Sequence, residues 1–275
     1  MEYFLTANGI TVHLLDTEYN NTIVNNKRTV ILLHGYMETM NIWNEFVDKI
    51  KNKYRCIVID MPGHGLTDSA PADGSGQSVN TMEFCADTVK ALMDKCNVEK
   101  AVIGGHSMGG YVGEMFCSKY PERVEKLVLF NSNPYSDSPD KSEDRKREID
   151  IIKSGKLESL ANICIPKMFK TENLREHDDK VMETMELCEM HNPEGIVASI
   201  IGMQLRPDMQ HLFENPCVPI MVFAGDNDRF MDSEAVKNMV LKFPKVRFSI
   251  LKDTGHISFI EAFYKVYEQF CEFIG

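Results

Sequence analysis

The chain has 275 residues, 43% of them hydrophobic, which is enough for one large domain or a domain with an insertion and argues against two independent domains. A formal charge of -11 argues against nucleic acid or an anionic membrane surface as the main partner. The eight cysteines are scattered without a C-x-x-C pair, so neither a disulfide framework nor a zinc site is indicated.

Residues 1–5 lack the basic start and long apolar run of a signal peptide, and no later apolar run is long enough to cross a bilayer, so a cytoplasmic protein is expected. Residues 3–6 and 10–15 flank Asn8-Gly9, the strongest local hairpin signal, and predict two antiparallel edge strands. Residues 16–27 are polar and Asn-rich, as in a surface loop. Residues 29–33 form a continuous apolar run, the pattern of a strand covered on both faces, and lead into His34-Gly35-Tyr36. Ile42, Trp43, Phe46, Val47 and Ile50 then recur at helical spacing before another apolar strand, residues 54–59. A parallel crossover follows from that order. After the Pro/Gly turn around Pro62-Gly63-His64-Gly65, a helix over 81–96 leads to a strand from Lys100 to Gly104.

That strand runs into Gly105-His106-Ser107-Met108-Gly109-Gly110, with serine at the apex of a turn and a helix beginning near Met108. Glycine is required two residues to either side of Ser107, because the strained apex brings those backbones together. A strand over 126–130 follows, and strands over 218–224 and 246–251 with helices over 234–243 and 257–273 complete an alternating series. The expected fold class is α/β, a doubly wound, mostly parallel eight-stranded sheet. The alternation stops between Asn131 and Pro216, where helical patterns over 144–152, 157–169, 178–190 and 195–205 are punctuated by prolines. Residues 134–216 therefore read as an inserted helical cap or lid on a core made of 1–133 and 217–275. From Pro134 to Pro216 there are 17 acidic and 11 basic residues, which disfavours highly charged substrates unless Lys141, Arg145, Lys146 and Arg147 are used for them.

A serine hydroxyl at neutral pH needs a base, the base an orienting acid, and the developing oxyanion backbone donors. His256 follows the last predicted strand, at the sheet edge where loops converge, and is the expected base. Asp226 and Asp228 compete for the acid in Gly225-Asp226-Asn227-Asp228. The oxyanion donors are expected at Met108, at a helix N-terminus, and at Tyr36.

Together, His34-Gly35-Tyr36, Asp60-Met61-Pro62-Gly63-His64-Gly65, the Ser107 turn, Gly225-Asp226-Asn227-Asp228 and Gly255-His256 resemble, in order, the motifs of the α/β-hydrolase superfamily. The resemblance covers nearly the whole chain. It places the acid at Asp228, three residues after the strand-end glycine. The cap exit, Met203 to Asp208, is similar to the small esterase, enol-lactonase and haloperoxidase-like subgroup. Ser107 excludes the aspartate-based chemistry of epoxide hydrolases and haloalkane dehalogenases. The resemblance implies a serine hydrolase that cleaves a small carboxylic ester, lactone or thioester through an acyl-enzyme, with Ser107, Asp228 and His256 catalytic and no metal or cofactor. Two alternatives stay open: C–C bond or enol-lactone hydrolysis by the same triad, and a slow-turnover ligand receptor on the same fold. The expected partner is a small acyl substrate, with no nucleic acid or membrane and the oligomeric state open. Gly35, Met185 and Met203 are the candidate substrate-binding residues, flexible thioethers being suited to an adaptable apolar pocket as well as to the cap's own core.

Overall fold

The structure, a computed structural model, describes residues 1–19 and 27–275. The sequence-predicted loop over 16–27 lies largely outside the described residues. Strands β1 (Glu2–Ala7) and β2 (Ile10–Asp16) form the expected hairpin, with Asn8 and Gly9 both at positive φ (50° and 80°), the backbone of a tight mirror-image turn. Of the two hairpin strands, only β1 is an edge strand. β2 continues into the sheet by pairing antiparallel with β4 (Arg55–Ile59), through Leu14 opposite Ile59.

From β4 the sheet is parallel. β3 (Thr29–Leu33) lies between β4 and β5 (Ala101–His106), followed by β6 (Val124–Phe130), β7 (Ile220–Gly225) and β8 (Arg247–Leu251), giving the order β1-β2-β4-β3-β5-β6-β7-β8. Every residue of β3, β5 and β7 is buried, as expected for strands covered by helices on both faces. Successive side chains alternate between those faces. Ile103 and Leu127 point to α3 (Met108–Lys119), which approaches so closely that a Cβ at Gly113 would lie 3.1 Å from Leu127. Phe130 points to the other face. There it meets Trp43, Phe46 of α1 (Asn44–Ile50), Phe259 and Phe270 in edge-to-face and tilted pairs with centroids 5.1–6.1 Å apart. The other helix in this half of the chain, α2 (Met82–Lys95), starts at Thr81, whose side chain accepts a hydrogen bond from the Phe84 N–H.

Between β6 and β7 come α4 (Pro139–Lys153), α5 (Leu157–Met168), α6 (Asp178–Glu189), α7 (Pro193–Gln204) and the short α8 (Gln210–Glu214). Two glycines show how tightly this segment meets the sheet domain. A Cβ at Gly202 would collide with the Asn80 backbone, and one at Gly195 would lie 2.9 Å from the Gly63 Cα. After β7 and α9 (Ser233–Lys242), the helix expected over 257–273 divides at Ala262 into α10 (Ser258–Glu261) and α11 (Phe263–Ile274). No helix among the described residues is long and apolar enough to cross a membrane.

Candidate active site

Ser107 stands between β5 and α3 with φ 49° and ψ -113°, a conformation that a non-glycine residue keeps only when its surroundings enforce it. The enforcement is visible in the glycines around it. A Cβ at Gly105 would lie 2.5–2.6 Å from the Gly109 carbonyl carbon and the Gly110 nitrogen. A Cβ at Gly109 would strike the Leu33 and His34 carbonyls at the end of β3. The second glycine is thus needed to bring α3 against the loop that carries Tyr36. Met108, the first residue of α3, has no intrahelical acceptor for its N–H.

His256 follows β8. Its Nδ1 lies 2.7 Å from Asp228 Oδ2, and both side chains are buried. Asp228 Oδ2 also accepts from the Asn131 side chain at 2.9 Å, and Oδ1 accepts from the backbone N–H groups of Phe230 and Met231 at 2.8 and 3.0 Å. Burial works to raise the Asp228 pKa, but His256, Asn131 and these N–H groups outweigh it and hold the carboxyl below its ordinary value. Asp226 does something else: its side chain accepts from the Thr254 N–H at 3.3 Å and from the neighbouring Asn227 amide, joining the loops after β7 and β8. Gly255 is not at positive φ; the left-handed residue of that turn is Asp253, at 59°. Glycine is needed at 255 because a Cβ would lie 2.6 Å from the Met168 carbonyl, and the His256 N–H donates to that same carbonyl at 2.6 Å.

Behind His256 lies a second histidine. His106 Nε2 donates to the His256 carbonyl at 2.9 Å, so Nε2 carries a proton, while Nδ1 faces Glu38. Glu38 also accepts from the Gly35 N–H at 2.6 Å. A carboxylate that accepts from both sides leaves His106 protonated on both nitrogens. Burial opposes this charge, yet Glu38 and the His256 carbonyl together raise the His106 pKa, and His106 and the Gly35 N–H lower that of Glu38 against the same penalty.

A profile described as alpha/beta hydrolase fold matches residues 28–172. The chain belongs to the α/β hydrolase fold family. It is 28% identical over 269 residues to a 2-hydroxy-6-oxononadienedioate/2-hydroxy-6-oxononatrienedioate hydrolase of Paraburkholderia phymatum, covering 95% of this chain and 91% of that protein. Its structure is similar to a thermophilic esterase from Thermogutta terrifontis, with a TM-score of 0.88, 26% identity and coverage of 100% and 98%. It also shares its fold with an enol-lactonase from Burkholderia xenovorans, with a TM-score of 0.86, 20% identity and 99% of each chain covered. The protein is a hydrolase of this family.

In this α/β hydrolase, Ser107 and His256 line one cavity of about 60 Å³, with Met168, Met203, Phe230 and Met231 as its apolar wall. Of the residues expected to bind substrate, Met203 is on the wall. Met185 is not among the lining residues and packs against the core instead. Gly35 is likewise not among the lining residues; a Cβ there would lie 2.7 Å from His106 Nδ1. The basic patch divides. Lys141 and Arg145 line the cavity, whereas Lys146 and Arg147 pair with Glu143 and Asp144 on the exposed side of α4. Sequence reasoning missed Asn131 and Glu38. Nothing local marks either one, since their partners lie 97 and 68 residues away. Among the described residues no three His, Cys, Asp or Glu side chains group so as to hold a metal ion.

Proposed function

We propose that this hydrolase cleaves a short-chain carboxylic ester or lactone through an acyl-enzyme on Ser107. The reading is carried by one observation: a serine held at a strained apex opens into the same small cavity as a histidine whose other ring nitrogen is fixed by a buried carboxylate. In this mechanism Asp228 keeps the His256 proton on Nδ1, so Nε2 is the free base. Ser107 Oγ attacks the carbonyl carbon as its proton passes to Nε2, and the Tyr36 and Met108 N–H groups take up the charge on the carbonyl oxygen. The proton leaves with the alcohol, and water then attacks the acyl-enzyme by the same route. Residues 134–216 act as the cap, with Met168 and Met203 setting acyl size.

A cavity of about 60 Å³ is small, which favours short acyl groups such as acetyl to butyryl. A second reading, C–C bond hydrolysis, is favoured by the relative that acts on a nonadienedioate. Such a chain requires the cap to move away from Ser107. The discriminating experiment compares p-nitrophenyl esters from acetyl to octanoyl with a vinylogous 1,5-diketone. The ester reading predicts the highest kcat/KM at the short acyl groups; cleavage of the diketone with negligible ester turnover overturns it.

A further inference from the structure

The cavity is also lined by Tyr36, Glu148, Arg145 and Lys141. Two atoms there are buried and have no protein hydrogen-bond partner, the Tyr36 hydroxyl and Glu148 Oε2. An unpaired buried oxygen costs free energy, so a ligand that leaves both dry binds poorly and one that satisfies both is selected. Tyr36 has an O–H to donate: burial, then the Glu148 carboxylate, keep its pKa well above the ordinary value. Glu148 Oε2 is the complementary acceptor; burial raises the pKa of this carboxyl, and Arg145 and Lys141 pull it part of the way back down.

The charges around them decide what fits. A carboxylate on the substrate would be set against Glu148. An ammonium would be set against Arg145 and Lys141. Arg145 is committed to Asp137, which Arg206 also holds at 2.7 Å, and Lys141 stands with its ammonium 5.8 Å from the Phe230 ring. A neutral group that accepts from Tyr36 and donates to Glu148 meets neither repulsion, and an alcohol does both through one oxygen atom.

Resting on the hydrolase reading of Ser107, we propose that the acyl group bears a hydroxyl, held between the Tyr36 hydroxyl and Glu148 Oε2, so that the substrates are short hydroxyacyl esters or hydroxylactones. Sites built to hydrogen-bond a substrate hydroxyl discriminate strongly against the analogue without it.

The test compares ethyl butyrate with ethyl 2-, 3- and 4-hydroxybutyrate and with the ethyl half-ester of succinate. The best hydroxy ester should exceed ethyl butyrate in kcat/KM by about 10- to 100-fold. Tyr36→Phe and Glu148→Met should each bring that ratio close to one, whatever they do to the absolute rates. Equal kcat/KM for plain and hydroxy esters in the wild type, or preference for the succinate half-ester, overturns the proposal while leaving Ser107 as the nucleophile. Binding separates the two claims: in Ser107→Ala protein, the hydroxybutyramide of the best-placed isomer should bind at least about 10-fold more tightly than butyramide. Absence of all ester turnover strikes the hydrolase reading, and equal amide affinities strike the hydroxyl subsite.

Discussion

Glu38 and His106 form a buried ion pair, with the imidazole Nδ1 2.9 and 3.0 Å from the two carboxylate oxygens and neither side chain exposed. The pair joins two loops of the site, because Glu38 holds the Gly35 N–H and His106 holds the His256 carbonyl. Removing one partner leaves the other charge buried and alone, which costs about 3–5 kcal/mol. Glu38→Gln and His106→Phe should each lower the urea midpoint accordingly, and the double variant should be less destabilised than the two single effects combined. Additive losses in a double-mutant cycle would show that the two side chains act independently. The folded pKa of Glu38 is lowered, so its share of the stability is present above the unfolded carboxyl value and lost as pH falls. That of His106 is raised, so its share is lost as pH rises through the folded value.

The two aspartates after β7 should separate cleanly. Asp228 is the one that reaches His256, so Asp228→Asn should favour the wrong tautomer and reduce kcat by about 10³ to 10⁴. Asp226→Asn touches only the Thr254 and Asn227 contacts and should cost about 1 kcal/mol of stability with a small kinetic effect. Steady-state kinetics on both folded variants check this, and the reverse ranking would refute the assignment.

The difference between what could and could not be read from the sequence is one of range. Gly105, Ser107 and Gly109 announce the elbow because its strain is local. Of the residues behind Asp228 and His256, Asn131 and Glu38 carry no such mark, and neither does Glu148 on the cavity wall. Asn131 has no carboxylate to suggest a catalytic role, yet its amide is a donor to Asp228. Glu38 lies one residue past Met37 in an ordinary-looking turn, and Glu148 shares α4 with several exposed acids. His106 was visible as part of the elbow, but its attachment to the His256 carbonyl depends on how β5 and the loop after β8 meet. Met185 and Met203 looked alike as thioethers on cap helices; only the orientation of α6 and α7 separates them.

Gly109→Ala should displace α3 from the end of β3, since the new methyl meets the Leu33 and His34 carbonyls rather than a flexible side chain. The shift separates Met108 from Tyr36. A displacement of about 1 Å costs on the order of 10²-fold in rate, so kcat should fall while secondary structure is retained. Unchanged kcat in Gly109→Ala would mean that the spacing of the two loops is not critical.

Acid should loosen the contact between residues 134–216 and the sheet domain. His191, in the turn between α6 and α7, accepts the Gly65 N–H on Nδ1 at 3.0 Å, and burial followed by the neighbouring His34 lowers its pKa to about 4. His64 and His34 are lowered by burial as well. These side chains stay neutral in the folded protein but take up protons when it unfolds. Stability therefore falls as pH drops from the ordinary histidine value of 6.5 towards 4, by a few kcal/mol for His191 alone. Urea unfolding across that range should show the slope, and His191→Asn should flatten it. A slope unaffected by the substitution would assign the acid sensitivity to other groups.

Whether Ser107 carries the acyl group is tested most directly by rapid-quench mass spectrometry during turnover of p-nitrophenyl acetate. One acetyl group is expected on the peptide containing Ser107, formed in a burst and lost as product accumulates, with neither acetylation nor turnover in Ser107→Ala. Acetylation of a different residue during productive turnover, or undiminished hydrolysis by Ser107→Ala, would contradict that assignment.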